Sequence, residues 1–397
     1  MRRTAITNIG TLLSGVLDRP VVEADTVLLE GETIAAVGNA SDFDLSDVDV
    51  LIDARGTTCS PGLVDSHVHN VIGDYSPRQK TVDFLESYVH GAITTSITAS
   101  EVHAPGRPTD PAGVKALAIA AERCFRNYRP GGMKVYAGSV ILEPGLTAAD
   151  FDEMAAQGVR LAKAGMGNFH PPKDVAPLVR LAQARGMVVM LHTGGASIPG
   201  SAAVTDEDVL AIQPDVVGHV NGGPTALTDE GLKEVVAHAK GALQVVQAGN
   251  LRSALLTCEL LHERNELQRL LIASDTPTGT GMMPLAVLKS VVELASLGPL
   301  SAVEAFCAAT GNPARAYGIP EGTIAPGRPA DVVLLDAPLG SAFADALSAA
   351  AGGDLPGIGA AITAGQLRYV RSRNSPPATR MPVVRKEHVH IFLSEEN

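Results

Sequence analysis

Leu63-Val64-Asp65-Ser66-His67-Val68-His69 marks a change of rhythm along the chain, a short apolar strand that runs into two histidines. Seven further apolar segments follow it, at 92–97, 134–138, 159–163, 188–192, 215–219, 243–247 and 271–275. Amphipathic stretches such as 114–128 and 251–267 lie between them. Strands that alternate with helices pair in parallel, because each crossover helix returns the chain to the same end of the sheet. Eight of them close a ring, so the expected fold is α/β, a (β/α)8 TIM-like barrel.

The flanks read differently. Residues 4–59 alternate β-branched runs (Thr26-Val27-Leu28-Leu29-Glu30, Thr33-Ile34-Ala35-Ala36-Val37, Val50-Leu51-Ile52-Asp53) with Gly and Asp turns, the pattern of short antiparallel strands. A β pattern returns after Gly322, in 331–336 and 366–370. We expect residues 60–318 to form the barrel, and 1–59 with 319–397 to form one small composite β-sandwich domain. From about Asn374 the chain is Pro-rich and charged without clear periodicity, the look of a loose arm or interaction segment.

The chain has 397 residues, which suits a barrel of roughly 250 plus a satellite. No apolar run approaches the ~18 residues that span a bilayer. Arg2 and Arg3 precede no apolar leader stretch, so they read as a solvated terminus. Cys59, Cys124, Cys258 and Cys307 are scattered, as reduced thiols are, which points to the cytoplasm. A net charge of −12 repels phosphate backbones, so nucleic acid is an unsuitable partner and an anionic substrate needs a basic pocket of its own.

In such a barrel the reactive groups stand at the C-terminal ends of the strands. Here those ends carry His67 and His69, Lys163, His192, His219 and Asp275. Residues i and i+2 of an extended segment point the same way, so His67 and His69 can grip one ion while Val68 packs behind them. Neutral imidazole and carboxylate suit borderline divalent metals such as zinc and ferrous iron. His388-Val389-His390 has the same spacing but neither a barrel strand nor a partner ligand, so it marks no site. On the loops after strands one and two, Arg78, Lys80 and Arg107 are each either solvated charges or clamps for a substrate carboxylate. Tyr136 points either into the barrel or out at a helix. Thr193, Ser197 and Asn221 either orient the substrate or serve as turn residues. His103 and His170 fall near the ends of strands two and four and read as surface or supporting groups.

Pro61-Gly62-Leu63-Val64-Asp65-Ser66-His67-Val68-His69, the later lone His192 and His219, Ala273-Ser274-Asp275 and the closing run from Gly322 to Asp331 resemble the amidohydrolase superfamily from end to end. Loop segments Gly73–Thr81, Pro105–Pro108, His192–Ser201, Asn221–Thr225 and Asp275–Gly281 resemble its enamidases. The resemblance implies two divalent metals, zinc and/or iron with manganese as a further choice. It places His67, His69 and Asp275 on one ion and His192 and His219 on the other, and it implies a homotetramer. It also implies a small carboxylated cyclic amide as substrate, 1,4,5,6-tetrahydro-6-oxonicotinate, opened to 2-formylglutarate and ammonia. Two such ions share a water, lower its pKa and polarise a carbonyl, so metal-bound hydroxide is expected to attack the lactam. Asp275 is then either general base and acid or a plain ligand. Lys163 occupies the position where many members carry a carboxylated lysine between the metals; the alternatives are a neutral amine ligand or a lysine turned elsewhere. The rival readings are a dihydropyrimidinase-like cyclic amidase, a deaminase, an N-acyl amino acid hydrolase, and a barrel without catalysis that acts as a scaffold.

Overall fold

The computed structural model describes residues 2–69, 81–101, 107–196, 198, 200–222, 226–277, 281 and 283–387. Its centre is the parallel barrel. Strands one and two are Leu63–Val68 and Ile93–Thr98. Strand three comes in two pieces: Lys134–Tyr136 pairs with strand two, and Ser139–Ile141 pairs with strand four. Between the pieces, Gly138 takes φ +88°, a left-handed conformation that a side chain would resist, and there the strand changes partner. Strands four to eight are Leu161–Ala164, Val188–His192, Val216–Gly218, Ala242–Val246 and Leu270–Ala273. The ring closes through the backbone just beyond the last strand: the Asp275 N–H donates to the His67 carbonyl at 2.8 Å, and the His69 N–H donates to the Thr276 carbonyl at 3.0 Å.

The period of two along each strand sets what lines the bore. Val64, Ile97, Leu161, Met190, Val216 and Leu271 pack together inside the barrel with Tyr317, from the helix Gly311–Tyr317. Two residues beyond Leu161 stands Lys163, and two beyond Met190 stands His192, so both face the bore one layer above that plug. Outside, residues such as Val68, Leu191 and Val245 pack against the helix ring in the largest apolar cluster. Gly165, with φ +83°, lets the chain leaving strand four pass close to strand five; a Cβ there would lie 2.8 Å from the His192 carbonyl oxygen.

Strands from both chain ends share two further sheets. One has the order Val383–Glu387, Val50–Asp53, Arg3–Thr7, Thr26–Glu30, Thr33–Gly38. The other runs Gln366–Val370, Gly357–Thr363, Val332–Asp336, Thr58–Pro61, Thr11–Leu13, Val21–Val22. Ile6, Leu12, Val27, Ile52, Val332 and Ile362 make a common core between them. The tail departs from expectation. Val383–Glu387 is an edge strand antiparallel to Val50–Asp53, and Arg385 pairs with Asp53 at 2.9 Å. A strand with one free edge needs little apolar alternation, which is why its charges read as a loose arm. His388 and His390 lie outside the described residues. The C-terminal flank also holds an unexpected helix, Ala346–Ala351, capped by Asp345 and packed through Ala350 against Val292 and Ala302 of the barrel's helices. Among the described residues no helix is long and apolar enough to cross a membrane.

Candidate metal centre

The barrel rim brings six of the expected residues together. His67 Nε2 and His69 Nε2 lie 3.3 and 3.2 Å from Asp275 Oδ1. The His67 ring is 5.3 Å from that of His219, which in turn meets His192 edge-on at 4.6 Å. Lys163 Nζ lies 3.4 Å from His67 Nε2. All four histidines and Lys163 are buried, each under a tenth exposed. Both His219 and Asp275 hold positive φ, 34° and 55°, conformations that turn the chain at the strand ends. Such backbone is uncommon for residues with side chains and persists where the surroundings demand it.

Electrostatics keep these groups in ligand form. Burial, aided by the Lys163 ammonium, holds His67 well below its ordinary value. Burial and the neighbouring His219 do the same for His192, and burial takes His219 down to about 4. Their imidazoles are therefore neutral at neutral pH, with a lone pair to give. Burial opposes ionisation of Asp275, but the surrounding His67, the hydrogen bond from His69 and His219 outweigh it and hold the carboxyl well below the usual range. Burial lowers Lys163 to about 8.

The donor set suits a divalent cation. One ligand atom from each of His67, His69 and Asp275 lies within 4.8 Å of the other two. His219 Nδ1 is buried and has no hydrogen-bond partner among the described residues. A buried polar atom left so costs about 1–3 kcal/mol unless something satisfies it.

Gln244, absent from the sequence expectations, sets the orientation of His67. Its Nε2 donates to the Ser66 carbonyl at 3.2 Å and to the Ser66 hydroxyl at 2.8 Å, so its Oε1 must face His67 Nδ1, 2.6 Å away. An oxygen there only accepts, so His67 carries its proton on Nδ1 and turns the Nε2 lone pair towards Asp275 and Lys163. The visible clue was one fully buried amide in the apolar run Ala242-Leu243-Gln244-Val245-Val246. Replacing Gln244 by Leu should weaken metal retention roughly 10- to 100-fold, whereas Gln244→Glu, which keeps the acceptor, should retain more. Dialysis against graded chelator with elemental analysis measures this, and identical retention in all three proteins would remove Gln244 from the site. Below the ligands, Asp65 Oδ1 accepts from the Ser274 N–H at 3.0 Å and the His67 N–H at 3.3 Å, tying strand one to strand eight.

The expected substrate contacts are distributed otherwise. Arg107 is buried, with Nη1 2.6 Å from Glu143 Oε1 and Nη2 donating to the Met166 carbonyl at 3.0 Å. Glu143 is wholly buried, so this guanidinium neutralises an interior carboxylate and braces the loops after strands two to four instead of reaching outward. Tyr136 points into the bore, but at its other end, where its hydroxyl donates to Glu321 Oε2 at 2.9 Å. The Thr193 hydroxyl donates to the Gly218 carbonyl at 2.9 Å. Asn221 donates to the Val246 carbonyl at 3.0 Å and accepts from the Val246 N–H at 2.8 Å, tying the segment after strand six to the end of strand seven. Arg107, Thr193 and Asn221 thus brace the rim through these bonds, while Tyr136 stands away from it. His170 is exposed, and Arg78, Lys80, His103 and Ser197 lie outside the described residues.

A parallel barrel with imidazole and carboxylate donors gathered on its C-terminal rim is the architecture of the amidohydrolase family, and the chain belongs to that family, whose pattern it matches over residues 58–357. It is 45% identical over 381 residues to the enamidase of Eubacterium barkeri, covering 96% of this chain and 99% of the relative. The crystal structure of an enamidase is similar with a TM-score of 0.91 at 44% identity, covering 96% of this chain and 100% of that one. A D-hydantoinase (dihydropyrimidinase) from a Thermus species shares the fold at a TM-score of 0.66 and 16% identity, with 93% of this chain and 95% of that chain covered.

Proposed function

We propose that the protein hydrolyses a cyclic enamide bearing a carboxylate, 1,4,5,6-tetrahydro-6-oxonicotinate, to 2-formylglutarate and ammonia. The observation that carries this reading is the meeting of His67, His69 and Asp275 around one point beside His192 and His219, in a chain so similar to an enamidase over nearly its full length. His67, His69 and Asp275 would hold one divalent ion and His192 and His219 a second, zinc and/or iron or manganese. Bound there, the metal supplies Lewis acidity and a water of lowered pKa. Asp275, whose carboxylate stands beside both imidazoles, would take the proton of the attacking water and return it to the leaving nitrogen. The released enamine tautomerises to an imine, which water cleaves to the aldehyde and ammonia. Arg78 and Lys80, which follow strand one in the sequence, would hold the substrate carboxylate. Lys163, as a carbamate, would supply an anionic ligand to the metal centre, and a homotetramer would be the assembly. The unpaired thiols of Cys59, Cys124, Cys258 and Cys307 fit a cytoplasmic setting.

Turnover on the carboxylated lactam, its neutral analogue, dihydrouracil, hydantoin, adenine and N-acyl amino acids tests the assignment. We expect kcat/KM for the carboxylated lactam to exceed that for the neutral one roughly ten- to a hundredfold, the worth of a charge-assisted clamp. Equal rates on the two lactams would defeat the carboxylate reading. Preference for dihydrouracil would favour the dihydropyrimidinase-like alternative.

A further inference from the structure

At the end of the barrel away from the histidines, a cavity of about 210 Å³ opens between strands two to four and the chain that follows the helix Gly311–Tyr317. Its walls are Ile97, Val135, Leu161 and Ile319, with the rings of Tyr136 and Tyr317. The lining is basic in a protein of net charge −12: Arg126, Arg129, Lys134 and Arg160 outnumber Glu122 and Glu321. Apolar walls under a local excess of positive charge favour an amphipathic anion over either a bare inorganic anion or a neutral ring.

Part of that charge is already matched. Arg126 pairs with Glu122 at 2.6 Å, and Lys134 pairs with Asp331 at 2.6 Å and Glu321 at 3.3 Å. Glu321 also accepts from the Tyr136 hydroxyl. Two guanidinium groups remain. Among the described residues Arg129 donates only to the backbone carbonyls of Phe125 and Tyr128, at 3.2 and 3.3 Å. Arg160 is exposed at the cavity and has no side-chain hydrogen bond or ion pair among the described residues. Arg129, Arg160 and Tyr136 line the same cavity, so both guanidinium groups border the space in which the phenol ring stands. A guanidinium presents its donors in a planar fork that matches a carboxylate.

We propose that this cavity is a second, non-catalytic binding site for a small monocarboxylate with a six-membered ring, the ring lodged against the apolar walls and the carboxylate held by Arg129 and Arg160. The size fits, because a cavity of roughly 150 Å³ already accommodates benzene, and the remainder gives space for the carboxylate. None of the rim ligands lines this cavity, and its wall residues Ile97, Leu161 and Tyr317 belong to the apolar plug beyond which Lys163 and His192 stand, so the site is separate from the rim and independent of the reaction proposed there. It is not remote from it in contact terms: the Tyr317 hydroxyl donates to the Ser66 carbonyl at 3.4 Å, the same carbonyl that holds Gln244 against His67.

The test uses the full-length, metal-loaded protein with 4-fluorobenzoate as probe, followed by fluorine NMR, and 4-fluorobenzamide as its neutral counterpart. Saturable binding of the benzoate is expected. In Arg129→Ala/Arg160→Ala it should weaken roughly ten- to a hundredfold, with turnover of the lactam unchanged, and the benzamide should bind the wild type as weakly as the benzoate binds the variant. Both arginines are exposed, so the variant should melt as the wild type does; Arg160→Lys, which keeps the charge, should fall between. Absence of saturation, equal affinity in wild type and double variant, or equal affinity for the neutral amide would each overturn the proposal. Equal affinity in the two proteins would show in addition that the benzoate sits elsewhere, as on the catalytic rim.

Discussion

Asp275→Asn is expected to lower kcat/KM by roughly 10²–10⁴, the range for removing a general acid–base group, while the protein stays folded. Asparagine keeps the shape and one ligating oxygen, but it cannot accept the proton of water and hand it to nitrogen. Asp275 is also the point at which His67 Nε2 and His69 Nε2 meet, at 3.3 and 3.2 Å, so weaker metal retention belongs to the same substitution. Elemental analysis beside kinetics separates the two roles. A large fall in rate with metal retained identifies proton transfer. A rate within about tenfold of wild type with metal retained would mean that Asp275 is a ligand only.

Lys163→Ala should remove most metal and most activity together, and short carboxylic acids with bicarbonate should restore part of both. The expectation rests on charge. Lys163 is buried with Nζ 3.4 Å from His67 Nε2 and 3.2 Å from Met190 Sδ, and it has no carboxylate within ion-pair distance among the described residues. An ammonium there would be repelled strongly by a neighbouring dication, so the free cation and a metal cannot share the pocket. Once it has lost a proton to solvent, the amine can add to carbon dioxide, and loss of a second proton leaves a carbamate anion with two oxygens, which would offset the metal charge. A small carboxylate added in solution can occupy the space that alanine leaves. Intact metal content and normal turnover in Lys163→Ala would show that this lysine is no bridge.

What the sequence made legible was local. Strand length, the alternation of strand with helix and the i, i+2 spacing of His67 and His69 are properties of neighbouring residues, and they placed six side chains on one rim before any coordinate was known. What stayed hidden depends on partners far along the chain. Gln244 acquires its meaning from His67, 177 positions away. Arg107 read as either a solvated loop charge or a clamp for a substrate carboxylate, and only the fold sets it against the buried Glu143. The direction of Tyr136 depends on where strand three breaks, and Gly138 makes that break. The edge strand Val383–Glu387 has its pairing supplied by Val50–Asp53, more than 300 residues earlier in the chain, and carries little pattern of its own.

The barrel is closed by the same backbone that carries its ligands: the hydrogen bonds of His67 and His69 to Asp275 and Thr276 join the first stave to the last. His69 and Asp275 stand 206 positions apart, so this seam shuts the longest loop in the barrel and bears the largest entropy of closure. A cation gripped from both sides of the seam would act as a clasp, present in the native state and lost when the chain opens. Chelation should then be felt less as an empty site than as a loosened ring, with amide exchange rising first along strands one and eight. The assembly of the catalyst and the last, least local step of folding would be one event.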